Sequence, residues 1–154
     1  MKTKLLILIL CLSPFAINGQ SSSNSCSAAD SAPHITSAGT YSITSFNGTA
    51  PSPCVGSSAN NGEWFAYTPT ADFQVTVSSD IAGNDGKDTR LHVFEGSCGS
   101  LSCLVGSDDD GSVVYSRLSV ATFNVEAGQT YYISWDDKYD SSAFDFILSE
   151  QPIL

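Results

Sequence analysis

The aspartates are the residues whose spacing in this sequence points most clearly to chemistry. Carboxylates gathered at one place repel each other unless a counter-charge, water or a metal ion offsets their charge. Calcium suits such a group, because it takes about 6–8 oxygen ligands from carboxylates, carbonyls and water. The candidate metal ligands are Asp88, Asp108, Asp109, Asp110, Asp136 and Asp137.

Two predicted hairpins bring these aspartates to one end of a sheet. If Cys98 and Cys103 pair, Leu91 lies opposite Asp110, and Asp88 then shares an end with residues 108–110. A turn at residues 126–128 would likewise set Asp136 and Asp137 beside that end.

Calcium binding competes with a plainer interpretation of the same residues. Open, hydrated loops could carry the aspartates, with Arg90, Arg117 and Lys138 pairing with them. The spacing around Gly111 does not fit an EF-hand loop, because its twelfth position would be Arg117. Any calcium site must therefore be assembled from separate loops.

The sequence offers little for catalysis. It contains two histidines, and neither a Gly-x-Ser-x-Gly nor a His-Glu-x-x-His motif. His92 lies between Leu91 and Val93 in a predicted strand, so its side chain points to the opposite face. Most aromatic residues are expected in the core, and Tyr139 is the best candidate for an exposed ligand-binding aromatic residue.

The first 19 residues are predicted to be a signal peptide. Two lysines precede a short apolar stretch, and small residues lead to a predicted cut after Gly19. An alternative lipoprotein anchor at Cys11 is disfavoured by the large Leu10 before it. Losing Lys2 and Lys4 takes the formal net charge from −10 to −12, which argues against nucleic-acid binding.

The remaining four cysteines indicate disulfides formed outside the cytoplasm. Four cysteines allow three pairings, and the sequence favours Cys98–Cys103 as a local loop with Cys26–Cys54 anchoring the N-terminal segment.

Short runs of β-forming residues, separated by Gly, Asn, Asp, Ser and Pro, predict an all-β fold. The expected architecture is an antiparallel, jelly-roll-like β-sandwich of 7–9 strands with two disulfides, over residues 30–150. Residues 20–29, rich in serine, are expected to form a flexible lead-in. The predicted strands lie near residues 40–43, 64–67, 73–78, 91–93, 118–125, 130–135 and 144–148.

Three stretches carry a family pattern. They are WFAYTP at 64–69, DTRLHVF with GSCG, LSC and DDDG within 88–111, and VEAGQTYYI at 125–133. Together they resemble the bacterial pre-peptidase C-terminal-type, CUB-like β-sandwich domain of secreted Bacteroidetes proteins. The resemblance implies a non-catalytic accessory domain, of a kind in which some relatives bind calcium and others bind collagen or polysaccharide. This sequence departs from the pattern, because it contains no recognisable enzyme domain beside residues 30–150, so we expect either a free-standing copy of the domain or a fragment.

The sequence therefore predicts a secreted, non-catalytic binding module, calcium being its candidate cofactor. Its expected partner is an extracellular protein or polysaccharide, with no nucleic acid and no membrane insertion. Two alternatives stay open: a small secreted hydrolase using the clustered carboxylates, and a purely structural or inhibitory module.

Overall fold

The computed structural model describes residues 21–111 and 116–153, so the predicted signal peptide and Cys11 lie outside the described residues. Within them the fold is almost entirely β, as the alternating runs predicted. A short helix, α1 (Cys26–Ser31), precedes nine strands. The strands are β1 (Gly39–Ile43), β2 (Gly48–Thr49), β3 (Asn61–Tyr67), β4 (Phe73–Ser78), β5 (Arg90–Ser97), β6 (Ser100–Asp108), β7 (Val120–Val125), β8 (Tyr131–Asp136) and β9 (Phe144–Pro152).

The strands form two antiparallel sheets that face each other. The first sheet has the order β1-β9-β4-β7 and the second has the order β2-β3-β8-β5-β6. The expected hairpin through residues 126–128 is wrong, because β7 pairs with β4 in the first sheet whereas β8 lies between β3 and β5 in the second. The turn is a crossing between sheets, yet it still places Asp136 at the predicted end.

The core between the sheets is built from alternate residues of the strands. In β9, Phe144, Phe146 and Leu148 are buried and the intervening residues are exposed. The first sheet therefore has one apolar face toward the core and one polar face toward water. No helix in the described part of the chain is long and apolar enough to cross a membrane.

The second sheet is different, because its central strands are buried on both faces. All six residues of β8 are buried. On the face away from the core, Trp64, Phe94 and Tyr132 pack against α1 in a second apolar cluster. Residues 51–58 contact the same face beside Arg90.

The disulfides tie these two covering segments to the sheet, and the predicted pairing is wrong. The bonds are Cys26–Cys98 and Cys54–Cys103, instead of Cys98–Cys103 and Cys26–Cys54. The physical reason is the register of the β5–β6 hairpin. Cys98 lies in the two-residue turn between Ser97 and Ser100, whereas Cys103 lies opposite Phe94. The two cysteines are therefore not opposite each other, and each bonds to a different covering segment.

The N-terminal segment is also more ordered than the expected flexible lead-in. Ser23 exchanges two backbone hydrogen bonds with Trp64, and the Ser25 hydroxyl accepts a hydrogen bond from the Ala28 amide at the start of α1. This segment occupies the edge of β3, which would otherwise present unpaired backbone groups. Cys26–Cys98 fastens it there.

A chymotryptic digest of the unreduced protein will identify the pairing, because cleavage after Leu101 separates Cys98 from Cys103. We expect peptides joining Cys26 to Cys98 and Cys54 to Cys103. A peptide joining Cys26 to Cys54 would contradict the structure.

Replacing Cys26 and Cys98 together by alanine should lower the free energy of unfolding by about 4 kcal/mol, since the bond closes a long loop. Urea unfolding measures that loss.

Candidate metal centre

The candidate site lies where β5 begins and where β6 and β8 end, here called the acid-rich end. Arg90, the first residue of β5, is paired with Asp108 of β6 on one side and with Asp136 of β8 on the other. This register brings three chain segments together at one sheet end. Leu91 faces Ser107 instead of the predicted Asp110, because the turn falls at residues 98–99, earlier than predicted, and a bulge between Val93 and Phe94 recovers only part of the shift.

Three of the predicted ligands converge there. Asp88, Asp108 and Asp109 each offer a carboxylate oxygen, and these oxygens all lie within 4.8 Å of one another. Asp88 and Asp108 are partly buried, and Asp109 is exposed. Asp109 has a φ of 61°, a left-handed conformation that aspartate tolerates better than most residues and that turns the chain at the end of β6.

The electrostatics of the cluster reflect its crowding. Burial, and then the charge of Asp109, raises the pKa of Asp88 above its usual value. The same two causes, in the same order, raise the pKa of Asp108. Arg117 Nη1 lies 3.4 Å from Asp88 Oδ2 and offsets part of this repulsion. Ionising both partly buried carboxylates therefore costs free energy in the folded protein.

The donor set fits a hard divalent cation. Carboxylate oxygens on one calcium ion lie about 2.3–2.6 Å from it, which allows oxygen–oxygen separations up to roughly 5 Å. Three carboxylates can supply three to six oxygens, and water can complete the shell on the exposed Asp109 side. Residues holding such an ion would be Asp88, Asp108 and Asp109.

Asp136 lies near this cluster, but its carboxylate is engaged in a buried ion pair and hydrogen bonds. It is 2% exposed, and Arg90 donates to it through Nε and Nη2, the latter at 2.6 Å from Oδ2. His92 Nε2 lies 2.8 Å from the same oxygen, and the Lys138 amide donates to Oδ1. Burial alone would raise the pKa of Asp136, but the hydrogen bonds from His92 and Arg90 hold it below its usual value.

The rest of this buried network holds the second covering segment. The Cys54 amide donates to His92 Nδ1, which leaves Nε2 as the protonated nitrogen that donates to Asp136. Arg90 Nη1 donates to the carbonyls of Val55 and Ser57. The prediction that His92 lies on the face away from Leu91 and Val93 is confirmed. Nothing in the sequence predicts the hydrogen-bond partners of His92.

The remaining predicted site residues lie outside the cluster. Asp137 accepts hydrogen bonds from the Asn60 and Asn61 amides and from the Asn61 side chain, so it orders a loop. Asp110 is exposed and does not join the three converging carboxylates. Tyr139 is 52% exposed, and its ring centroid lies 5.7 Å from Arg90 Cζ. The negative charge of Asp108 raises the pKa of Tyr139.

Comparison with known proteins adds no assignment. No protein-family model matches this chain, and no curated protein matches it. The resemblance to the pre-peptidase C-terminal-type domain therefore stays a prediction.

Asp136→Asn should lower the free energy of unfolding by about 3 kcal/mol at pH 7, because it leaves the buried Arg90 charge uncompensated. Folding lowers the pKa of Asp136. Its carboxylate therefore adds to the free energy of unfolding at pH values above the ordinary carboxyl pKa, and this stabilisation is lost as pH falls below about 4. Urea unfolding between pH 3 and 7 measures both effects. Asp85→Asn, at an exposed aspartate, is the control and should change little. Equal stability of Asp136→Asn and Asp85→Asn would show that the network contributes nothing.

Proposed function

We propose that this protein is an extracellular, non-catalytic binding module that takes a calcium ion at Asp88, Asp108 and Asp109. The observation that carries the proposal is the convergence of these three carboxylates from two chain segments at one end of the second sheet. Two disulfides support an oxidising, extracellular location.

The state of both histidines supports a non-catalytic role. His92 is buried, with one ring nitrogen bonded to Asp136 and the other to the Cys54 amide. His34 has one ring nitrogen 2.8 Å from the Thr68 hydroxyl and the other 3.0 Å from the Asp30 carbonyl. A general base needs a ring nitrogen within reach of a substrate proton, and these four nitrogens are already engaged.

Calcium would have a specific task in such a module. The raised pKa values of Asp88 and Asp108 mean that the ionised cluster opposes folding at neutral pH. A bound cation would remove that cost and hold the end of β6 against the segment before β5.

A calcium titration followed by thermal melting tests the metal site. We expect a rise in melting temperature on the order of 10 °C at a hundredfold excess of calcium over Kd, which corresponds to about 2.7 kcal/mol. Asp109→Asn should remove this response and, with chelator present, melt slightly above the wild type because repulsion is relieved. Asp85→Asn should respond like the wild type. An unchanged melting temperature in calcium would refute the site.

An array of extracellular matrix proteins and neutral and acidic polysaccharides tests the binding role. We expect selective retention of the mature protein, reduced when Asp109→Asn is used or calcium is removed. The same polysaccharides should survive incubation without new reducing ends. Hydrolysis that Asp109→Ala abolishes would favour the small hydrolase, and an array without any retention would favour the structural or inhibitory module.

A further inference from the structure

A second acidic feature lies at the opposite end of the sandwich. There β7 ends, β8 begins, and a cleft of about 380 Å³ opens to solvent. Three carboxylates from separate segments line it: Asp72 before β4, Glu95 on β5 and Glu126 after β7. The volume lies within the range usual for small-ligand sites.

Hydrogen bonds hold the rim of this cleft in place. The Ala127 amide donates to Asp72 Oδ1 at 2.8 Å, and the Glu126 amide donates to the Tyr131 hydroxyl at 3.0 Å. The Gly128 amide donates to the Pro69 carbonyl at 2.9 Å. The loop before β4 and the turn after β7 are therefore fastened together, and the carboxylates that they carry are held on one rim.

The charges of the described residues are unevenly divided between the two ends. Arg90 is paired with Asp136 and Arg117 with Asp88, both at the acid-rich end. The two lysines there are also engaged, Lys87 with the Ser142 hydroxyl and Lys138 with the Ser58 carbonyl. Among the residues that the structure describes, no lysine or arginine lines the cleft at the opposite end. Within the described part of the chain, the three carboxylates of the cleft thus have no basic side chain beside them.

The lining of the cleft is partly polar and partly apolar. Asn124 adds a polar side chain, Val125 and Tyr131 are buried at the base, and Ile153 stands at the edge with half of its surface exposed. A sugar ring would find no exposed aromatic face there, because Tyr131 is only 4% exposed. An exposed apolar side chain beside a rim of carboxylates matches an alkyl chain that ends in a cation.

We propose that this cleft binds a lysine or arginine side chain of an extracellular protein partner. The inference rests on the proposed binding role and specifies the chemistry of the partner. The alkyl stem packs on Ile153, the exposed apolar residue of the lining, while the cationic group lies among Asp72, Glu95 and Glu126. A free alkyl diamine offers the same chemistry from a different source, and the experiment separates the two.

An amide-resolved NMR titration of the mature protein, with chelator present to keep the acid-rich end out of the measurement, tests the cleft. The probes are Nα-acetyl-lysine methylamide, the arginine equivalent, the uncharged norleucine equivalent and 1,5-diaminopentane. We expect the lysine or arginine probe to shift the amides of Val125, Glu126 and Ala127, and the norleucine probe to leave them unmoved. Glu95→Gln and Glu126→Gln should each weaken binding about two- to fivefold, whereas Asp85→Asn should not.

The following results would overturn the proposal. Equal shifts with norleucine would mean a purely apolar groove, and unchanged affinity in both glutamine variants would remove the role of the carboxylates. Binding of the diamine without binding of either amino-acid probe would assign the cleft to small amines instead of a protein.

The array and the titration together separate this proposal from the proposed binding role. If the array retains partners but no probe binds, the cleft is rejected and the binding role is kept. Probes that bind while the array stays empty would leave the cleft's cation binding established and reject the binding module together with its protein partner.

Discussion

The buried ion pair between Arg90 and Asp136 is the interaction on which the acid-rich end depends. Removing two charges from water is expensive, and a buried pair repays that expense only when its remaining donors and acceptors are satisfied. Here they are: the guanidinium bonds Asp136 and two carbonyls of residues 55–57, and the carboxylate also bonds His92 and the Lys138 amide. Gly56 fits this arrangement, because a Cβ there would lie 2.8 Å from the Arg90 guanidinium. The pair joins β5 to β8 and so sets the positions of Asp88, two residues before β5, and of Asp108, across from Arg90.

The face of the second sheet that points away from the core is covered, because its strands carry large apolar side chains there. Trp64, Phe94 and Tyr132 would expose a large apolar patch if the face away from the core met water. The helix α1 covers the apolar half of that face, and residues 51–58 cover the polar half around Arg90 and His92. Both covers are short, the helix α1 having six residues. A disulfide from the β5–β6 hairpin to each cover supplies the constraint, which makes the hairpin the common anchor of both.

Much of the fold was predictable because its signals are local. Alternation in β4 and β9 predicts strands with one buried face, and the polar turns between runs predict their ends. The end at which the aspartates gather was also predictable, since a strand's length fixes where its last residue lies. The disulfide pairing was not, because it depends on a two-residue turn at Cys98 and on which segment covers which face. The role of Asp136 was missed for the same reason. Its partners Arg90 and His92 are more than 40 residues away, and only the β5–β8 pairing brings them together.

The two ends of the sandwich are both acidic, but they differ in how their carboxylates are arranged. At one end three oxygens lie within 4.8 Å of one another, with an arginine beside them and Asp109 exposed, so the negative charge is concentrated at a point. At the other end the carboxylates stand around an open cleft beside the exposed Ile153, so the charge is spread over a rim. Electrostatic attraction alone would draw any cation to either end. Geometry distinguishes them: a point of converging oxygens favours a compact ion that takes many ligands at short range, whereas a rim of separate carboxylates beside an exposed apolar side chain favours a cation carried on an alkyl chain. The same surplus of acidic residues can therefore serve two different kinds of recognition on one small domain.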